Sequence, residues 1–155
     1  MSGFIINLAT LAVGASRLEA RATAEELQLP PADWPVGVEA TLGLDRTGDL
    51  VSVRGILRSS ARLECVRCLR AFDLPLAVDL TVVADRAGGR GRFEEQLEAD
   101  DYMMFHDGRQ LDLCKQARES LLLELPITPH CREDCRGLCP RCGADLNEGS
   151  CGCPA

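Results

Sequence analysis

Six cysteines fall within 23 residues near the end of the chain, Cys131, Cys135, Cys139, Cys142, Cys151 and Cys153 in HCREDCRGLCPRCGADLNEGSCGC. A further pair, Cys65 and Cys68, stands far upstream in ECVRCLR. Two residues between thiolates let both sulfurs point at one ion, and Gly143 after CPRC allows backbone N–H groups to approach the sulfur. In a chain without export signals such density points to metal, most often zinc. Nine cysteines in all is an odd count, which disfavours a closed disulfide framework.

The eight cysteines divide naturally as four plus four. Cys139, Cys142, Cys151 and Cys153 are separated by a spacer of loop character and form one plausible tetrathiolate site. Cys131 and Cys135 lie just outside that loop, and Cys65 and Cys68 are a knuckle short of two partners. Joining these pairs gives a second site, which ties the tail to a distant turn. Two alternatives stay open: His130 in place of Cys131, or Cys131, Cys135, Cys139 and Cys142 around one ion with the CGC pair free. Four thiolates fill a tetrahedral ion and leave no position for water or substrate, so the expected role is a staple. The sharper reading, a redox pair at Cys65–Cys68, lacks the βαβ setting of thioredoxin-type motifs.

Other chemistry is thinly represented. Cys114 has helical spacing to Ala117, Arg118 and Leu121, as a small partly buried thiol would. His106 reads as a turn residue, and there is no Ser–His–Asp arrangement, Gly-rich phosphate loop or HExxH. Arginines are the remaining feature. Arg54, Arg58, Arg62, Arg67 and Arg70 occupy a stretch in which Glu64 is the sole acid, and Arg132, Arg136 and Arg141 decorate the tail. They either offset the charge of zinc–thiolate centres or form a basic patch for RNA phosphate. On one continuous strand Arg54, Arg58 and Arg62 would share a face in either case.

The elements that must position these residues read as a mixed α and β chain. Residues 5–8 suggest a short strand, and residues 18–29 are ambiguous between strand and helix. Val36, Val38, Ala40, Leu42 and Leu44 alternate as in a half-buried strand, and Asp and Gly residues at 45–49 make a turn. Residues 50–57 form a second strand whose alternation continues to Cys65. Residues 72–84 form a third, with Pro75 suggesting an edge or a strand start. These three should make an antiparallel meander, with the Cys65–Cys68 turn joining its last two strands. Residues 102–105 suggest another short strand. Asp112 can cap a helix to about Leu125 with Leu113, Ala117, Leu121 and Leu125 on one face, and Pro126 ends it. The expectation is an α+β domain over residues 1–126, with an antiparallel sheet and a packed helix, and a zinc-binding knob over residues 127–155 on the same domain.

At 155 residues, with 46% hydrophobic and 26% charged side chains, the chain suits a soluble globular protein. Residues 4–15 are apolar but have no basic flank and are too short to span a bilayer, so neither export nor a membrane is expected and a cytoplasmic location is. The net charge is −7; eight ligating thiols lose eight protons and two zinc ions bring four positive charges, deepening it to −11. Such a protein is no general nucleic-acid binder. Residues 86–101 are Gly-rich and then acidic, and the acidic run over 94–107 reads as a solvated loop or a contact for a basic protein.

LECVRCLRAF, followed by LLLELPITPHCREDCRGLCPRCGADLN and CGC, resembles the YceD family, the large ribosomal RNA subunit accumulation proteins, from about Val36 onward. The resemblance implies a non-enzymatic factor supporting 23S rRNA levels through rRNA or a large-subunit ribosomal assembly partner, with no small-molecule substrate. The rivals are a thiol–disulfide protein and a scaffold that binds only protein.

Overall fold

The computed structural model describes residues 3–86 and 103–153. Strands β1 (Ile5–Asn7), β2 (Gly14–Ala22), β3 (Val38–Thr47), β4 (Leu50–Glu64), β5 (Ala71–Arg86), β6 (Met103–His106) and β7 (Gln110–Asp112) precede helix α1 (Cys114–Glu124). The main sheet runs β2-β3-β4-β5-β6, while β1 and β7 form a separate antiparallel pair.

The expected meander is present. β3, β4 and β5 are antiparallel, and the turn carrying Cys65 and Cys68 joins β4 to β5. Two strands extend it. Residues 14–22, which take in the first five residues of the ambiguous stretch, pair with β3 through Ala20↔Ala40 and Ala22↔Val38. Helical character begins only after Ala22. The Thr23 N–H donates to Glu26 Oε2 and the Glu26 N–H to Thr23 Oγ1, a reciprocal cap on one short turn that ends at Gln28 with φ 56°.

The sheet is not purely antiparallel, which corrects the sequence-based expectation. β6 lies parallel to β5, pairing Val83↔Met103 through Arg86↔His106. Alternation in so short a strand carries no information about its direction, so the sequence could not reveal this. Among the described residues β6 covers only the end of β5, so Pro75, opposite Ser60, lies where β5 is paired on the β4 side alone. Most of the acidic run over 94–107, and Tyr102, lie outside the described residues.

Odd positions of β4 face inward. Val51, Val53, Leu57 and Ala61 are buried, as are Leu42 and Leu44 of β3 and Leu76, Val78, Leu80 and Val82 of β5. Ala117 and Leu121 of α1, Phe4, Ile6 and Leu8 around β1, Leu111 of β7, and Leu27 and Trp34 from residues 23–37 complete one core. α1 packs on β5. The Asp112 carboxylate accepts the Cys114 N–H at 2.9 Å, which ties down the helix start. His106 is buried at the end of β6, where Nδ1 accepts the Gly108 N–H and Nε2–H donates to the Asp49 carbonyl at 2.7 Å. It is a structural turn residue.

Candidate metal centres

The Cys65–Cys68 turn and the Cys139–Cys142 turn are built alike. The Cys65 N–H donates to the Arg70 carbonyl and the Leu69 N–H to the Cys65 carbonyl, both at 2.9 Å. Likewise the Cys139 N–H donates to the Ala144 carbonyl at 2.8 Å and the Gly143 N–H to the Cys139 carbonyl at 2.9 Å. Each turn aims its N–H groups at its leading sulfur. Burial works against the Cys65 thiolate, yet N–H groups of Cys68, Cys131 and Arg67 together bring its pKa down to about 6. N–H groups of Cys142 and Arg141, with the Cys151 side chain, bring Cys139 to about 6 as well.

The structure gathers the eight cysteines into two groups of four. Cys65, Cys68, Cys131 and Cys135 form one, and Cys139, Cys142, Cys151 and Cys153 the other, with all sulfurs of a group within 4.8 Å of one another. Within the first, Cys65 and Cys135 are 3.7 Å apart and Cys68 and Cys131 3.6 Å. Four sulfurs held about 2.3 Å from a tetrahedral ion stand about 3.8 Å apart, whereas a disulfide needs about 2.05 Å. Either group could therefore hold one metal ion. Cys131 and not His130 belongs to the first group, and the CGC pair is part of the second.

The two centres differ in surroundings. The first is dry: Cys65, Cys68 and Cys135 are buried, with Phe72, Cys131 and Leu138 packed against them in a small cluster separate from the main core. Burial, together with the neighbouring sulfurs, pushes Cys131 up to about 12. In the second, Cys139 is buried, Cys151 and Cys153 are half-buried, and Cys142 is exposed. Backbone bonds clasp the tail to the sheet turn, from the Val66 N–H to the Pro129 carbonyl at 2.9 Å and from the Leu138 N–H to the Arg67 carbonyl at 3.1 Å. Gly137, at φ 76°, makes the approach possible, since a Cβ there would stand 3.0 Å from the Arg67 carbonyl.

The arginines divide. Arg54, Arg58 and Arg62 share the outward face of β4, as their even spacing requires. Arg62 is spent on Asp73 directly across the strands, with Nε–Oδ1 at 3.0 Å and Nη2–Oδ2 at 3.3 Å. Arg70 binds Asp145 and Glu148, and Arg132 pairs with Asp134. Arg67 donates to the carbonyls of Glu133 and Cys135. Among the described residues Arg54, Arg58, Arg136 and Arg141 have no acidic partner within ion-pair distance.

One residue at the centres escaped sequence reasoning. Asn147, in the loop between Cys142 and Cys151, donates its side-chain amide to Cys135 Sγ at 3.3 Å. This bond is the largest influence holding the Cys135 thiol below its ordinary pKa. An Asn amid turn-forming residues looks like any other loop Asn, so no local signal marks it.

A protein-family profile described as "Large ribosomal RNA subunit accumulation protein YceD" matches residues 53–155, which include all eight clustered cysteines. The chain belongs to the YceD family. Relatives include the chloroplastic large ribosomal RNA subunit accumulation protein YCED homolog 1 of Arabidopsis thaliana, 27% identical over 96% of this chain and 54% of that protein. An uncharacterised protein of Mycobacterium bovis is 32% identical over 77% of this chain and 56% of its own length. One of Mycobacterium leprae is 29% identical over 77% of this chain and 54% of its own length. The chain thus spans about half the length of these relatives. No solved structure matches it. Among the described residues no helix is long and apolar enough to cross a membrane.

Proposed function

We propose that this YceD-family protein is a non-catalytic, zinc-stapled cytoplasmic factor that supports 23S rRNA accumulation during large-subunit assembly by binding rRNA. The observation that carries the reading is the closed first centre, in which two sulfurs from the sheet turn meet two from the tail, in a chain whose family is named for large ribosomal RNA subunit accumulation. Four thiolate donors suit zinc, and an ion so filled holds a shape while offering no site for turnover. Zinc would occupy both centres and keep the tail rigid against the β4–β5 turn. Arg54, Arg58, Arg136 and Arg141, without acidic partners among the described residues, would be available to RNA phosphate. The complete burial of Cys65 weighs against thiol exchange at Cys65–Cys68.

A second reading, a scaffold for a basic ribosomal protein, is favoured by the net charge of −7 and by the internal pairing of Arg62, Arg70 and Arg132. The test is binding of the full chain to 23S rRNA fragments across a salt series, with and without Arg54→Glu and Arg58→Glu together. Affinity that falls with salt and drops in the variant supports RNA contact. Binding that ignores both salt and charge reversal, alongside tight capture of a ribosomal protein, moves the function to the scaffold.

A further inference from the structure

The loop that closes the second centre also reaches the first. Residues 143–150 run from Cys142 to Cys151, so the loop is flanked at both ends by cysteines of the same centre. Midway along, Asn147 sets its amide nitrogen 3.3 Å from Cys135 Sγ of the other centre. Its side-chain Oδ1 accepts the Arg136 N–H at 2.8 Å, and its backbone N–H donates to Asp145 Oδ1 at 2.9 Å. Arg70, at the end of the first knuckle, grips the same loop through Asp145 at 3.0 Å and Glu148 at 3.1 Å. Main-chain bonds from the Leu146 N–H to the Gly137 carbonyl and the Leu138–Asp145 bridge complete the seam.

We infer that the two centres load metal cooperatively, with Asn147 as the positioning residue that couples them. An ion at the second centre fixes both ends of the loop, and a loop so closed presents the Asn147 amide to Cys135 without further loss of chain entropy. The amide N–H then stabilises the thiolate that the first ion needs, as outer-shell donors to metal ligands do. Without the second ion the loop ends are released and this donor must be ordered at the first centre's expense. The coupling is reciprocal by thermodynamic necessity, so loading the first centre tightens the second by the same factor. The inference rests on both centres holding metal, which the metal content of the unmodified protein tests by itself.

The experiment uses the full chain reconstituted with cadmium-113, whose resonances report each tetrathiolate centre separately, and competition of zinc against a chelator. Asn147→Asp keeps the oxygen that accepts from Arg136 but removes the amide donor. It should shift the first-centre resonance, leave the second in place, and weaken the first centre about 10- to 100-fold. Cys151→Ser with Cys153→Ser, which empties the second centre, should weaken the first by a similar factor. Combining the two changes should add little. If the serine variant does not fold, zinc titration of the parent and of Asn147→Asp decides the question: loading that is cooperative in the parent and independent in the variant supports the inference, and any other pattern overturns it. An unmoved first-centre resonance with affinity within about twofold of the parent overturns the inference, as do losses that multiply independently.

Discussion

Leu69 and Gly143 occupy the same position in two copies of one turn, each the residue after the second cysteine of a knuckle, at φ 59° and 74°. Glycine takes this left-handed conformation freely, whereas a leucine there is strained by roughly 1–2 kcal/mol. Leu69 is also 57% exposed, so its side chain recovers little through burial.

Leu69→Gly should therefore stabilise the metal-loaded protein, by about 1 kcal/mol once the freer unfolded chain is counted. Gly143→Ala should destabilise it by about 1 kcal/mol, although an added Cβ at Gly143 meets nothing within 4 Å. Denaturant midpoints of the two variants check this. Midpoints moving in the same direction would contradict the shared geometry.

Metal should leave in two steps. The second centre carries the exposed Cys142, while three of the four sulfurs of the first are buried. Titration with a chelator, followed by metal content and thiol reactivity, should show one equivalent lost first with Cys142 becoming reactive. Cys65→Ser should lower the stoichiometry from two ions to one. Loss from both centres together would mean that the coupling between them outweighs their difference in burial, whereas Cys65 becoming reactive before Cys142 would show that burial does not set the order.

The Asp107 carboxylate shapes the turn into β7, accepting the Arg109 N–H at 2.7 Å and the Gln110 N–H at 2.9 Å. The Gln110 bond, then the Arg109 bond, hold its pKa below the ordinary 3.8. A carboxylate depressed on folding contributes stability that is present above its unfolded pKa and is lost as pH falls through the lower folded value. Asp107→Asn keeps an acceptor oxygen and should flatten this part of the acid limb. Denaturation midpoints between pH 5 and pH 2, on the order of the range where such carboxylates titrate, would reveal it. Parallel curves for parent and variant would count against the role of Asp107.

Leu121 points from α1 onto the sheet with no exposed surface. Leu121→Ala should cost roughly 2–5 kcal/mol through lost burial and the cavity left behind. The same change at Leu123, which is 85% exposed, should leave the midpoint nearly unchanged. Equal effects at the two positions would mean that α1 does not dock through this face.

The features legible in the sequence are those whose physics is local. Alternation at Leu42, Leu44, Val51 and Val53 marks inward strand faces because the side-chain period of a strand is two. The i, i+4 run from Leu113 through Ala117 and Leu121 marks the buried face of α1 for the analogous reason. Pairs of cysteines with two residues between them announce metal because that spacing lets both sulfurs face one ion. Residues 18–29 are ambiguous in the sequence because a strand and a capped turn follow one another there, and neither is long enough within that stretch to impose its own period.

By itself, then, the sequence determined the knuckles, the meander and the helix, together with the arginine stripe on β4. Only the tertiary structure decided that β6 runs parallel to β5, that β1 pairs with β7 across more than a hundred residues, and that Arg62 and Arg70 are occupied by Asp73, Asp145 and Glu148. It also decided that Asn147 of one metal loop serves a sulfur of the other centre. Spacing along a chain encodes which side chains share a face within an element. Which elements meet, and which donor reaches which sulfur, depends on packing between residues far apart in sequence, where no periodicity survives.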